Sequence, residues 1–267
     1  MLNKILLFIP MYNCEKQIVR VLKQVDCEIL KYIKEVIVIN NRSTDNGENA
    51  AIEYCKTTPE LPIKILRNDE NYGLGGSHKV AFQYAINNGY DYIIVLHGDD
   101  QGRIADFIPL IESGEYEKHD CCLGARFMKG SKLIGYNKLR IWGNYGFNLL
   151  FSMIVHKSVK DLGSGLNMYK VDTLKSLYFM KYPDTLYFND LMILASCYYK
   201  QDLYFYPISW REEDQISNNK LWSFSCALLK MLWNYVKDKK KYIEQDMRIK
   251  VIEEYTAQVI YEQGETR

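Results

Sequence analysis

Residues 68–101 read NDENYGLGGSHKVAFQYAINNGYDYIIVLHGDDQ. A polar turn carrying Gly73, Gly75 and Gly76 opens a helical stretch over residues 75–88, and Gly89 ends it. A run over 91–96 (DYIIVL) then leads straight into His97-Gly98-Asp99-Asp100-Gln101. Glycine turn, helix, strand and polar strand end are the parts of a βαβ unit. The strand lacks polar alternation, which predicts burial on both faces, as in a parallel sheet.

The same grammar extends in both directions. Upstream, 4–10 (KILLFIP), 35–40 (EVIVIN) and 62–67 (PIKILR) read as strands. Between them, 15–30 reads as a helix with Ile18, Val19, Leu22 and Val25 on one stripe, and 46–57 as a helix closed by Thr58-Pro59. Downstream, helices are predicted over 104–113, 137–153, 186–200 and 220–235, and strands over 120–124 and 203–208, with a glycine-rich turn into a strand at 163–169. The alternation predicts an α/β fold with a mainly parallel central sheet flanked by helices, a Rossmann-like nucleotide-binding core. No linker divides the chain of 267 residues. Residues 1–219 read as the main domain, and 220–267 as a helical extension packed on it or lying at a membrane interface.

Charge and cysteines narrow the class. The formal net charge of +1 provides no global field for nucleic acid. Seven cysteines at irregular spacing, with no C-x-x-C pair, read as reduced thiols of a cytoplasmic protein. The N-terminal apolar run ends at Pro10 and is too short for a signal or a span. The helix over 221–236 carries Trp222 and Trp233 and precedes the basic run KDKKK, a pattern suited to peripheral contact with the inner face of a membrane or to packing in a core.

Ligands of open parallel sheets bind beyond the carboxyl ends of the strands. Four such ends are polar here: Pro10 to Asn13, Asn40 to Asp45, Asn68 to Gly76, and His97 to Gln101. Adjacent acids after an apolar strand are costly unless solvent, a cation or a partner stabilises them. Asp99 with a neighbouring amide oxygen and imidazole can share one hard divalent ion with phosphate oxygens. Each turn alone also fits an ordinary connection.

Taken in order, FIPMYNCEKQI, EVIVINNRSTDNG, NDENYGLGGSHKVAFQYAINNGYDYIIVLHGDDQ and CCLGARF resemble the I-P-x-Y-N-E, D-D-x-S-x-D, N-x-G-x-G-x-A, D-A-D-x-Q and G-S-R-F patterns of family-2 glycosyltransferases with the GT-A fold. The likeness extends to polyprenyl-phosphate sugar synthases of the dolichol-phosphate mannose synthase kind and to bacterial polysaccharide glycosyltransferases. It is densest over 5–128.

The resemblance implies a metal-dependent inverting enzyme that takes a sugar from a UDP- or GDP-linked donor to a glycan or lipid-linked acceptor in cell-surface polysaccharide synthesis. A phosphate acceptor and a catalytically impaired nucleotide-sugar binding module are the alternatives; a sugar-phosphate nucleotidyltransferase lacks support in Pro10-Met11-Tyr12-Asn13. The resemblance places Asp99, Gln101 and His97 at a Mn or Mg site, with His97 where the family has an aspartate and Asp100 as a spare acid. It places Pro10, Tyr12, Asn13, Asn41, Ser43, Asp45, Asn71, Gly73, Gly75 and Arg126 at the donor. Asp190 stands as the base, with Asp161 as runner-up, and the acidic character of WREEDQISNNK favours a hydroxyl acceptor. Arg140, Arg211 and Lys220 stand at acceptor or lid positions.

Overall fold

The first strand shows how the core is built. In β1 (Ile5–Met11) side chains alternate, so Leu6 and Phe8 join one hydrophobic layer while Ile5, Leu7 and Ile9 join the other. The computed structural model describes residues 3–214 and 221–263. Its further elements are α1 (Glu15–Leu22), β2 (Ile33–Asn40), α2 (Gly47–Lys56), β3 (Ile63–Asn68), α3 (Gly73–Asn87), β4 (Tyr92–Leu96), α4 (Ile108–Glu112), β5 (Cys121–Ala125), β6 (Lys132–Ile134), α5 (Lys138–Val155), β7 (Leu166–Lys170), α6 (Val171–Leu174), α7 (Phe188–Tyr198), β8 (Leu203–Pro207), β9 (Ser209–Arg211), α8 (Leu221–Lys237), α9 (Lys239–Glu244) and β10 (Ala257–Glu262).

Eight strands form one sheet in the order β10-β3-β2-β1-β4-β7-β5-β8. β1 pairs in parallel with β2 and β4, β2 with β3, and β5 with β8. Only β7 and β10 run against their neighbours. The carboxyl ends of β1 to β5 therefore share one rim, and the reversal of β7 brings the turn before it to the same rim. β6 and β9 make a separate small parallel pair beside that rim. This is the expected mixed α/β architecture, of GT-A type.

Two expectations change. The first helix stops at Leu22 instead of continuing to residue 30. Gln24 and Val25 turn back on Val21 and Leu22 in tighter turns, and Asp26 Oδ1 accepts from the N–H groups of Glu28 and Ile29 to start a new short turn. The C-terminal extension is helical only at first. Its end, β10, adds to β3 in antiparallel register with Val259 opposite Leu66. Lys79, fully buried in α3, donates to Tyr182 O, Asp184 and the Tyr255 hydroxyl, tying this tail to the core. All seven cysteines are free. Among the described residues no helix is long and apolar enough to cross a membrane.

Candidate functional site

On the β1–β2–β3 side of the rim, the polar residues hold one another. Asn13, in a left-handed conformation, accepts from Thr44 N–H at 2.8 Å, and its own N–H donates to Ser43 Oγ at 3.1 Å. Asp45 accepts from Glu15 N–H at 2.8 Å and from Gly47 N–H at 3.1 Å, so one carboxylate serves the first turns of α1 and α2. Asn41 donates to Asn71 at 2.8 Å and accepts from Asn68 at 2.9 Å and from Tyr72 N–H at 2.8 Å. With both ends of its amide engaged, Asn41 pins the β3 loop rather than waiting for a base. Pro10 is buried, its carbonyl taking Gly98 N–H at 3.1 Å; Tyr12 projects into solvent.

Gly73 and Gly75 carry a different duty from the one expected. A Cβ on Gly73 would sit 2.3 Å from Asp184 O, and one on Gly75 would sit 2.5 Å from Pro183 O. Gly75 N–H donates to Asp184 O at 2.9 Å. The glycines admit the 183–184 segment against the start of α3, and Gly73 also has a positive φ of 72°. The anion-binding end of that helix is thus partly occupied by the chain itself.

The turn after β4 separates its two acids. Asp99 stays at the rim, and burial, with the nearby charge of Asp100 adding to it, lifts its carboxyl to about 6. Gln101 N–H donates to Asp99 at 3.2 Å, and Gln101 is partly exposed. Asp100 points inward, fully buried, onto Arg20, Gln24 and Arg211. The spare acid is therefore committed and does not replace the missing aspartate. His97 packs its ring on Gly165, where a Cβ would come within 2.5 Å. Burial, helped by Arg126, lowers it to about 4, so the imidazole is neutral at pH 7. Its buried Nε2 has no hydrogen-bond partner among the described residues.

Arg126 is the electrostatic centre of the other half of the rim. Its Nε and Nη2 both donate to Asp161 at 2.7 Å, and its backbone N–H donates to the same carboxylate at 2.8 Å. Burial works against the guanidinium charge, but Asp161 more than offsets it and raises the arginine above its ordinary value. Rings of Phe127, Tyr136 and Trp210 stand 5.0, 5.9 and 5.1 Å from the guanidinium carbon. Asp161 is consequently an arginine partner and not a second base. Asp190 lies buried in the first turn of α7, and burial, then the charge of Asp161, holds its carboxyl well above the usual carboxylate range, against the pull of Arg126. Burial of this kind disfavours the charged form from which a general base starts.

Two of the expected acceptor residues are engaged. Arg140 donates to both oxygens of Glu212, at 2.8 and 3.0 Å, and Arg211 bridges to Asp100. Lys220 lies outside the described residues. Sequence reading missed Arg20, Gln24, Tyr136 and Trp210, which brace this half from positions remote in the chain. The one local signal was the i, i+4 spacing of Arg20 and Gln24, which sets both on one face of the helix expected over 15–30. Among the described residues, no three His, Cys, Asp or Glu side chains converge as a metal cage.

Comparison with known proteins agrees with this layout. Residues 7–178, more than half of the chain, match Glycosyl transferase family 2. An undecaprenyl-phosphate mannosyltransferase of Micrococcus luteus is 21% identical over 65% of this chain and 69% of its own length. A dolichyl-phosphate beta-glucosyltransferase of Saccharomyces cerevisiae is 22% identical over 77% and 66%, respectively. Glucosyl-3-phosphoglycerate synthase of Mycobacterium tuberculosis, solved with UDP, superposes with a TM-score of 0.63 at 13% identity, covering 88% of this chain and 80% of that one. The same synthase has also been solved with Mn²⁺, UDP-glucose and phosphoglyceric acid. The chain belongs to glycosyl transferase family 2, with the GT-A fold, and is a glycosyltransferase related to the polyprenyl-phosphate sugar synthases.

Proposed function

We propose that this enzyme moves a sugar from a nucleoside-diphosphate sugar to a lipid-linked phosphate, with a divalent metal at the Asp99 turn. One observation carries the reading: Asp99 and Asp190, two carboxyls with raised pKa, lie within the electrostatic reach of one buried arginine at the carboxyl ends of the parallel strands. The donor set suits a metal shared with substrate. One carboxylate, an amide and a neutral imidazole are too few for a closed protein site, but they fit an ion whose other ligands are phosphate oxygens. The imidazole favours Mn²⁺ over Mg²⁺, in keeping with the ion in the mycobacterial relative. When bound, the ion supplies positive charge to the departing diphosphate. Arg126 Nη1, turned from Asp161, is the donor left for a phosphate oxygen.

The acceptor follows from Asp190. A hydroxyl acceptor needs a base, whereas the hydroxyl expectation rested on the acidic character of WREEDQISNNK. A phosphate acceptor is already anionic, and a protonated Asp190 then donates a hydrogen bond instead of taking a proton. The undecaprenyl-phosphate and dolichyl-phosphate relatives support that choice. Arg140 then exchanges Glu212 for the acceptor. The test supplies UDP- and GDP-sugars with Mn²⁺ and, in parallel, a short polyprenyl phosphate or the matching alcohol. Transfer to the phosphate alone is expected; transfer to the alcohol would restore the hydroxyl acceptor. Donors are screened first by thermal shift, since a ligand that binds only the native state raises the midpoint.

A surface for the lipid accompanies the site. Trp142 on α5 is 75% exposed, and Trp222 and Trp233 on the adjoining α8 are 82% and 70% exposed. Leu139, Leu149, Met153, Leu229 and Val236 extend the same two stripes. Neither helix contains an acid, and Lys138, Lys157, Lys230 and Lys237 to Lys241 (interrupted by Asp238) lie on or beside them. Aromatic stripes flanked by cations fit an anionic bilayer surface. Flotation with phosphatidylglycerol vesicles is expected to carry the protein, and the triple change of Trp142, Trp222 and Trp233 to Ser to abolish it. Equal flotation of parent and variant would remove the membrane from the reading.

A further inference from the structure

Asp99 and Asp100 are chain neighbours with opposite surroundings. The Asp100 side chain is 0% exposed and takes Arg20 Nε at 2.6 Å, Gln24 Nε2 at 3.0 Å and the Arg211 guanidinium. Its backbone carbonyl takes Arg211 Nε at 2.7 Å, and the next carbonyl, of Gln101, takes Arg211 N–H at 3.0 Å. Gln24 continues along the turn, donating to Gly102 O at 3.2 Å and accepting from Ile104 N–H at 3.1 Å. Arg20 also reaches Asp214 at 2.9 Å. Helix α1, the β4 turn and strand β9 thus converge on one carboxylate. At that point the backbone has φ +61°, a left-handed conformation uncommon for a residue with a side chain.

We infer that Asp100 is a positioning residue: its ion cluster with Arg20 and Arg211 sets the backbone of the 99–101 turn, and thereby the direction in which Asp99 and Gln101 meet the donor. The role rests on the proposed use of Asp99 at the metal and diphosphate. The physical reason is directional. The left-handed backbone at Asp100 turns the chain sharply, so anchoring Asp100 inward on two cations fixes the turn with Asp99 toward the rim. Arg211 holds the carbonyl of the Asp100–Gln101 peptide and that of the next peptide, which removes the first peptide's freedom to flip. Sequence conveys none of this, because the motif position between Asp99 and Gln101 carries no pattern of its own.

Two variants separate ions from backbone. Asp100→Asn keeps volume and tolerance of the left-handed region while losing the charge. Asp100→Gly removes the side chain but adopts the same φ without strain. Two readouts are taken. One is amide exchange at residues 99–102 of the ligand-free protein. The other is affinity for UDP or GDP, whichever stabilises the parent, with and without Mn²⁺. Both variants are expected to exchange faster at 99–102 and to lose about 10–100-fold of the Mn²⁺-dependent affinity, the usual range for a residue that orients a metal ligand. Metal-free nucleotide affinity is expected to stay at the parent value. Parental exchange and parental Mn²⁺-dependent affinity in Asp100→Gly would overturn the inference, because the ions would then be dispensable. If the parent binds neither nucleotide, the donor reading falls, while exchange at 99–102 still decides whether the cluster holds the turn. Should Asp100→Asn fail to fold, Arg20→Gln on the more exposed arm is expected to shift both readouts in the same direction by less, and no shift would count against the cluster.

Discussion

The two halves of the rim use polar residues in opposite ways. Around β1 to β3, Asn13, Asn41, Ser43, Asp45 and Asn71 are satisfied by one another, by Asn68 and by loop amides. Around β4, β5 and α7, half-buried and buried titratable groups have displaced pKa values: Asp99 up, His97 down, Asp190 far up, with Arg126 held between them. The first half resembles a scaffold that happens to be polar. The second gathers titratable groups displaced by burial and by one another, a feature that reactive sites share. Motif density and electrostatic displacement therefore do not coincide: the matches are crowded in the half that is already internally satisfied.

The sharpest way to break this contrast is to remove the counter-charge of the strained half. Asp161→Asn leaves Arg126 buried with a neutral partner and is expected to cost about 3–5 kcal/mol of stability, read from urea denaturation. A loss no larger than that of a surface substitution would mean that the arginine is not the centre of the site. Next, Asp99→Ala is expected to reduce turnover by about 10²–10³-fold, the usual effect of losing one group that stabilises developing charge, while stability rises. The sign follows from the raised pKa. A folded value of about 6 against an ordinary 3.8 gives a contribution that is full below the ordinary value and lost as pH rises through about 6. The parent should thus fall behind the variant between about pH 4 and pH 7, which melting curves at the two pH values would show. A melting difference that does not change with pH would contradict the buried carboxyl.

On the scaffold side, Asp45→Ala should cost about 1 kcal/mol through the lost helix-start bonds and leave donor affinity at the parent value. A collapse of donor binding in a fully stable variant would make the first half chemical after all. The smallest effect is expected at Asp190. If the carboxyl is protonated and the acceptor is a phosphate, Asp190→Asn is nearly isosteric and turnover should drop by less than about tenfold, whereas removing a true general base costs about 10²–10⁴. The pH–rate profile adds a second reading: a base would produce a limb rising with pH above the ordinary carboxylate range that the Asn variant lacks.

Periodicity and punctuation were sufficient to place most of the strands, nearly all the long helices, and the shared rim, because a strand buried on both faces and a helix with one apolar stripe are local patterns. Asp99 stood out by its place beyond an apolar strand, while Asp190 and Arg126 entered only through the family resemblance. The roles of Gly73 and Gly75 were not legible, since φ and a tight turn look the same in sequence whether the space above a glycine holds a ligand or Asp184. β10 was missed because an edge strand with no buried side chain lacks the apolar alternation that marks a strand.

What the sequence determined alone is the order of βαβ units and hence which strand ends meet. That follows from short-range sterics and hydrophobic period. What only the tertiary structure decided is the fate of each charge on that rim. Arg20 lies 80 residues from Asp100, Arg211 lies 111 from it, and Asp161 lies 35 from Arg126. A carboxylate's pKa and direction depend on which of these cations arrives and how much water leaves, and neither is written in the residues beside it.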